Sequence, residues 1–303
     1  MERVYGNMKI KSNWFDSKKK NRKIAAIGYK GLNLYLSLGK YRLVRLTNNI
    51  EFRIHVTIST LRKETGYSSK EIIELLKILI NQKIIRLIKP TRWDRLYDAD
   101  GKLKSNEQLV ILATDVPVTT RVTSDDGKIE DQIKSDEDYY ISVDLDMLEY
   151  YKTVGLDERY FPLYCLLRKL SNGTEGKAFM TIHNMAETLS MHHDTIHKYI
   201  KILNKMQLLC SDKTKNKKDG FMFEHRLCGS VSQYNEFQYA HKNTMMRNTK
   251  RWKLDCDIEK IMESNIEELE LYYGESDLEE TTSSESVEYE QSFENCDGEY
   301  EIV

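Results

Sequence analysis

The sequence predicts an α+β protein, mainly α with small β wings, and three observations predict it. A block of about 30 residues recurs 124 positions downstream without a gap. Each copy is followed by two short apolar runs separated by a polar loop, the pattern of a β-hairpin. Only three prolines interrupt the 303 residues, so helices meet few breaks, and 40% hydrophobic with 31% charged residues is ordinary for a globular chain.

The repeat pairs TISTLRKETGYSSKEIIELLKILINQKII, residues 57–85, with TIHNMAETLSMHHDTIHKYIKILNKMQLL, residues 181–209. Thr57 and Ile58 match Thr181 and Ile182, Ile72 matches Ile196, and Lys77-Ile78-Leu79 matches Lys201-Ile202-Leu203. Leu61 and Met185, Leu76 and Ile200, Ile84 and Leu208, and Ile85 and Leu209 agree in apolar character, as one buried face requires. In each copy a Thr precedes a short amphipathic helix, where its hydroxyl can accept from an otherwise unpaired first-turn amide. Gly66 and Ser190 then break the periodicity. Ser68 or Ser69 is placed to cap the second helix of the first copy, and Asp194 falls in the first turn of the other, where negative charge suits the helix dipole. That second helix carries Ile72, Leu76 and Leu79, or Ile196, Ile200 and Leu203, as one stripe. Helix, tight turn and longer helix make a helix-turn-helix.

The flanks extend this outline. Upstream, GYKGLNLYLSLGKYRL and ERYFPLYCLLRKL each predict a first helix, and downstream, residues 84–90 and 108–117 predict two strands of a wing. LLCSDK and FMFEHRL, around the basic loop TKNKKDG, repeat it. Three helices with a two-stranded wing are a winged helix-turn-helix, expected here twice. The expected organisation is a basic N-terminal arm at 1–23, a first winged-helix domain at 24–117, a flexible polar linker at 118–138, a second winged-helix domain at 139–253 and an acidic tail at 254–303. The tail is expected to be disordered, with DIEKIMESNIEELELYY able to form an amphipathic helix in a partner's groove.

Charge is separated along the chain. Residues 1–253 carry 45 Lys and Arg against 30 Asp and Glu, and residues 254–303 carry one Lys against 18 acids. A cationic body with an acidic tail is a footprint of polyanion binding, although a solubilising tail would look the same. No run approaches the roughly 18 apolar residues of a membrane span, and no signal-peptide core stands near the N-terminus, so a cytoplasmic protein without membrane partners is expected. The five cysteines are odd in number and form no CxxC pair, so neither a structural metal nor a disulfide framework is expected. No GxxxxGKS, GxSxG or HExxH motif occurs, and neither an enzyme nor a cofactor is expected.

In a helix-turn-helix the first residues of the second helix face base edges in the major groove, and the wing reaches the backbone. In the second domain this selects His192, His193, Asp194, Thr195, His197, Lys198 and Lys201 for base reading, and Lys213, Lys215, Lys217 and Lys218 in the wing for phosphates. A merely solvated polar face is the competing account. His193 and His197 stand four apart, as two metal ligands would, yet no third ligand accompanies them. The first domain differs: where the second has His197 and Asn204, it has Ile73 and Ile80. Those isoleucines either meet a dimer partner or the sister domain, or pack under the upstream helix or the wing. Lys18, Lys19, Lys20, Arg22, Lys23, Arg62, Lys63, Lys70, Arg92 and Arg95 are its candidate phosphate contacts.

LNLYLSL followed by TISTLRKETGYSSKEIIELLKILINQKIIRLI resembles the N-terminal winged helix of replication-initiation proteins from low-GC Gram-positive plasmids and phages. Two winged helices in a chain of this size also look like plasmid initiators that bind repeated origin sites, over roughly 24–117 and 139–230. The resemblance implies a non-enzymatic, sequence-specific double-stranded DNA-binding protein of a mobile element, acting at a replication origin, while the apolar surplus of Ile73 and Ile80 points to a homodimer and the amphipathic stretch of the acidic tail to a protein partner. A transcriptional repressor or activator of the same fold, and a protein-interaction module whose tail imitates DNA, are the alternatives.

Overall fold

The computed structural model describes residues 6–16, 22–43, 53–117, 119–123, 129–133, 139–171, 176–216 and 220–251, with backbone alone at 43, 119–133, 213–222 and 245–251. The expected acidic tail, Lys18, Lys19, Lys20, Lys217 and Lys218 lie outside the described residues.

The chain opens on β1 (Asn7–Lys11) and a 3-10 turn at Ser12–Phe15, then enters α1 (Lys23–Gly39), β2 (Arg42–Leu43), β3 (Arg53–Thr57), α2 (Ile58–Thr65), α3 (Ser69–Asn81), β4 (Ile85–Lys89) and β5 (Gln108–Ala113). A hairpin of β6 (Thr119–Thr123) and β7 (Ile129–Ile133) follows. The second half holds β8 (Tyr140–Asp144), α4 (Leu145–Thr153), α5 (Phe161–Ser171), β9 (Lys177–Phe179), α6 (Ile182–Leu189), α7 (His193–Lys205), β10 (Leu209–Asn216), β11 (Gly220–Leu227) and α8 (Tyr234–Arg251). The fold is α+β with small antiparallel sheets.

The sequence repeat is a repeat of backbone. α2 and α6 have 8 residues each and α3 and α7 have 13 each, in the same register of the repeat. Thr57 and Thr181 cap the short helices, accepting from Thr60 N at 3.0 Å and from Asn184 N at 3.2 Å. Gly66 and Ser190 close them in the left-handed region, at φ 71° and 54°. Ser68 caps α3, accepting from Glu71 N. Beyond the long helices, Lys83 and Gln207 again share a positive φ, 56° and 59°. Sheet order agrees as well: β3-β5-β4 in the first half corresponds to β9-β11-β10 in the second. The strands β3 and β9, entering each short-helix and long-helix pair, escape a reading of the sequence because three to five residues carry little period-2 signal.

Two expectations are corrected. Within the expected arm, residues 7–11 form a paired strand: β1 pairs with β8 in the register Met8↔Val143 and Ile10↔Ile141, all four side chains buried. The alternation of Met8 and Ile10 with polar neighbours gives this strand its buried face. Residues 118–138 hold the β6–β7 hairpin where a structureless linker was expected. The helix buried on two sides is α1. It packs on α2 and α3 of its own half and on α5 and α6 of the other, which is why Gly31 through Gly39 are buried around the whole helix circumference.

Polar contacts complete this junction. Lys40 Nζ, its side chain 1% exposed, donates to Glu64 Oε2 at 2.7 Å and to Glu149 Oε1 at 2.6 Å. Burial opposes the Lys40 charge, but the hydrogen bonds and attraction of Glu149 and Glu64 outweigh it and hold its pKa above the ordinary lysine value. Tyr67 OH donates to Glu158 Oε1 at 3.0 Å across the halves. Trp14 Nε1 donates to Asp115 Oδ2 at 2.6 Å, Lys23 also pairs with Asp115, and the Trp14 ring lies 5.0 Å from that of Tyr35. All described residues belong to one compact unit. Among them, no helix is long and apolar enough to cross a membrane.

Candidate nucleic-acid interface

α7 turns Ile196, Tyr199, Ile200, Ile202, Leu203 and Asn204 inward. The opposite face follows from the same periodicity: Asp194, Lys198 and Lys205 are exposed, Lys201 is half-buried, and they stand at i, i+4, i+7 and i+11, one stripe along the helix. Lys205 was not singled out from sequence, although its spacing from Lys198 and Lys201 carried the signal. At the helix start His192 is the N-cap, its Nδ1 accepting from Asp194 N at 3.3 Å, with His193 exposed beside it. Thr195 and His197 are half-buried. Burial, then Lys201 and His193, lower the His197 pKa, so its ring stays neutral and offers one donor and one acceptor. The expected base-reading group thus lies together on one end and one face of α7.

Behind that face a buried polar chain joins the helix to the hairpin. Asn204 Nδ2 donates to Ile200 O at 2.8 Å and to Ser211 Oγ at 2.7 Å, and Ser211 N donates to Asn204 Oδ1 at 2.8 Å. Ser211 Oγ lies 2.8 Å from His225 Nδ1. That contact joins the Ser211 hydroxyl and the His225 ring in one hydrogen bond, with the donor set by the ring tautomer. Nε2 has no partner among the described residues, and burial lowers the His225 pKa to about 4. The positions matching Asn204, Ser211 and His225 in the first half are Ile80, Leu87 and Ile111, given the repeat and the pairings Ser211↔His225 and Leu87↔Ile111. The same helix-to-hairpin joint is therefore aliphatic in one half and hydrogen-bonded in the other. Lys213 and Lys215 lie on β10, opposite Phe223 and Phe221.

The first half presents a different helix face. On α3 the exposed residues are Lys70, Glu74, Lys77, Ile78 and Asn81. Ile73 is buried within the chain and Ile80 half-buried, on a helix whose main neighbours are α1, α2 and β4. Ile73 is thus core, Ile78 stays exposed on the same helix, and α1 contacts elements of both halves. Of the expected phosphate contacts, Arg62, Lys63, Lys70, Arg92 and Arg95 are exposed, Arg92 pairing with Asp94 at 2.8 Å. Arg22 donates to Glu187 O across the halves and Lys23 pairs with Asp115, so both cations are engaged within the chain.

Among the described residues no group of three or more His, Cys, Asp or Glu side chains is placed to hold a metal ion. Cys165, Cys210 and Cys228 are buried free thiols, and burial pushes Cys228 up to about 11, which disfavours the reactive thiolate. No family of known proteins matches the chain, and no curated protein is significantly similar to it.

Proposed function

We propose that the chain is a double-stranded-DNA-binding protein made of two winged helix-turn-helix modules, with α7 lying in the major groove and the β10–β11 hairpin acting as a wing on the backbone. The observation that carries this reading is the stripe of Lys198, Lys201 and Lys205 on the outer face of the second helix of a helix-turn-helix, with His192 capping its start and His193 exposed beside it. The excess of 45 basic over 30 acidic residues before residue 254 supports it. Three lysines supply phosphate attraction, and His193, Asp194 and Thr195 supply donors and acceptors for base edges. The resemblance to initiators directs the proposal to an origin of a plasmid or phage, and no chemical step is asked of the protein.

The test is fluorescence anisotropy of the full chain on duplex fragments of its own element across a salt series. Binding that weakens steeply with salt is expected, and no salt-sensitive binding to any fragment overturns the proposal. The double variant Lys198→Ala, Lys201→Ala should weaken binding at least about tenfold and make log K against log salt less steep by about 2, near 0.9 for each phosphate no longer neutralised. Wild-type affinity in this variant would move α7 from DNA to a protein partner.

A further inference from the structure

We infer that the first half makes a second contact with duplex DNA, through the β4–β5 hairpin and its loop rather than through α3. This rests on the DNA-binding reading above and assigns the first half its own phosphate-binding surface.

The outer face of α3 is poorly suited to a phosphate groove. Glu74 stands where α7 has Lys198, and it lies between Lys70 and Lys77 on one face. Glu71, one turn in, is bound to Lys30 at 2.6 Å. A face of alternating sign gains little from a polyanion, and an unpaired carboxylate against phosphates is repelled. The hairpin differs. Arg86, Lys89, Arg92, Arg95, Lys102 and Lys104 are all exposed on it. The exposed acids nearby are Asp94, Asp98 and Asp100, and two of these are engaged locally. Asp94 pairs with Arg92, and Asp98 Oδ1 accepts from Asp100 N at 3.1 Å and from Lys102 N at 2.8 Å. A positive surface remains.

The second argument is order. The loop between Lys89 and Gln108 would ordinarily lose conformational freedom on binding, which weakens association. Here it is already organised. A 3-10 turn at Trp93–Leu96 buries Leu96 completely. Lys104 N donates to Leu96 O at 2.8 Å and Asp98 N to Lys102 O at 2.9 Å, while Ser59 N on α2 donates to Ser105 O at 2.9 Å. The Lys77 ammonium lies 5.8 Å from the centre of the Trp93 ring, tying the loop to α3. The cations are thus held on a firm frame, as a wing that follows a fixed backbone path needs. Ile88 and Tyr97 are exposed apolar surface on the same hairpin, suited to the sugars between phosphates. The contact expected is with sugar and phosphate and independent of sequence, so it extends the protected stretch of duplex beyond the bases read by α7.

The experiment compares the full-length wild type with Arg86→Gln, Arg95→Gln, Lys102→Gln, Lys104→Gln combined, and with Glu74→Gln alone, on a duplex that the wild type binds. The proposal expects the quadruple variant to keep its unfolding midpoint, to bind at least about tenfold more weakly at low salt, and to make the salt slope less steep by about 0.9 for each phosphate it no longer neutralises. Its hydroxyl-radical footprint should shorten on one side while protection at the α7 site persists. Glu74→Gln should bind as wild type does. A quadruple variant with wild-type affinity, slope and footprint overturns the inference while leaving the α7 reading intact. Tighter binding by Glu74→Gln overturns it by placing α3 at the DNA, and loss of self-association with unchanged DNA affinity overturns it by giving the hairpin to a protein partner. Wild type that binds no duplex removes both readings together.

Discussion

The two copies of the helical repeat have one backbone and two surfaces. From Thr57 to Ile85 and from Thr181 to Leu209 the caps, the left-handed closures and the helix lengths coincide. What separates them is the outer face and the joint to the hairpin. α3 alternates charge and α7 aligns lysines, while Ile80, Leu87 and Ile111 do with dispersion what Asn204, Ser211 and His225 do with hydrogen bonds. The difference teaches that local backbone and surface chemistry vary independently: caps and an apolar stripe suffice for the shape, and the remaining positions are free to acquire a role.

The largest expected effect lies where the halves meet. Lys40→Met leaves Glu64 and Glu149 facing each other without their shared cation and should cost about 4 kcal/mol in denaturant unfolding. A loss below about 1 kcal/mol would show that Lys152, whose Nζ lies 3.2 Å from Glu149 Oε1, takes over.

Acid should then separate the halves. His225 has a folded pKa of about 4 against an ordinary 6.5, so the fold favours its neutral form and the unfolded chain binds the extra proton. Its contribution is complete above pH 6.5 and is lost as pH falls toward 4, about 3 kcal/mol in all. Glu64, held below the usual carboxylate range because its bonds to Lys40 and Tyr41 outweigh burial, contributes above about pH 4.5 and is lost below that as pH falls through its folded pKa. Stability measured against pH should therefore decline in two windows, and a curve flat from 6.5 to 4.5 would argue that protonated His225 finds solvent.

Exchanging residues between copies sharpens the comparison further. Asn204→Ile alone takes the side-chain acceptor from the buried Ser211 amide and a donor from its hydroxyl, and should cost about 2 to 3 kcal/mol. Adding Ser211→Leu and His225→Ile, the full set of first-half residues, should recover stability at neutral pH to within about 1 kcal/mol and abolish the loss between pH 6.5 and 4. If the single exchange were neutral, the polar chain would hold nothing. The smallest effect concerns Ser190, a non-glycine residue at φ 54°. Ser190→Gly should stabilise by up to about 1 kcal/mol and Gly66→Ser should destabilise by a similar amount. Equal thermal midpoints in both exchanges would show that neither closure is strained.

Much of this was legible in the chain because it is local. The Thr caps, the breaks at Gly66 and Ser190 and the spacing of Ile196, Ile200 and Leu203 are set by residues within a few positions of one another, and periodicity and capping express them directly. The exposed face of α7 followed by subtraction, which is why Lys198 and Lys201 were found and Lys205 was one step away. Ile73 and Ile80 on α3 leave open a partner or the first half's own core, because composition says that burial occurs, not against what. Ile73 is satisfied inside its own half, and the doubly buried helix is α1.

By itself, then, the sequence determined the repeat, its helices and the face that α7 shows to solvent, since each depends on neighbours along the chain. Tertiary structure alone decided that β1 joins β8, that Trp14 and Lys23 meet at Asp115, that Arg22 belongs to Glu187, and that Asn204, Ser211 and His225 share a buried chain. The clasp of Trp14 on Asp115 spans 101 positions, and such partners are chosen by which surfaces remain unburied once the helices have formed, a property of the packed whole that no window of sequence contains.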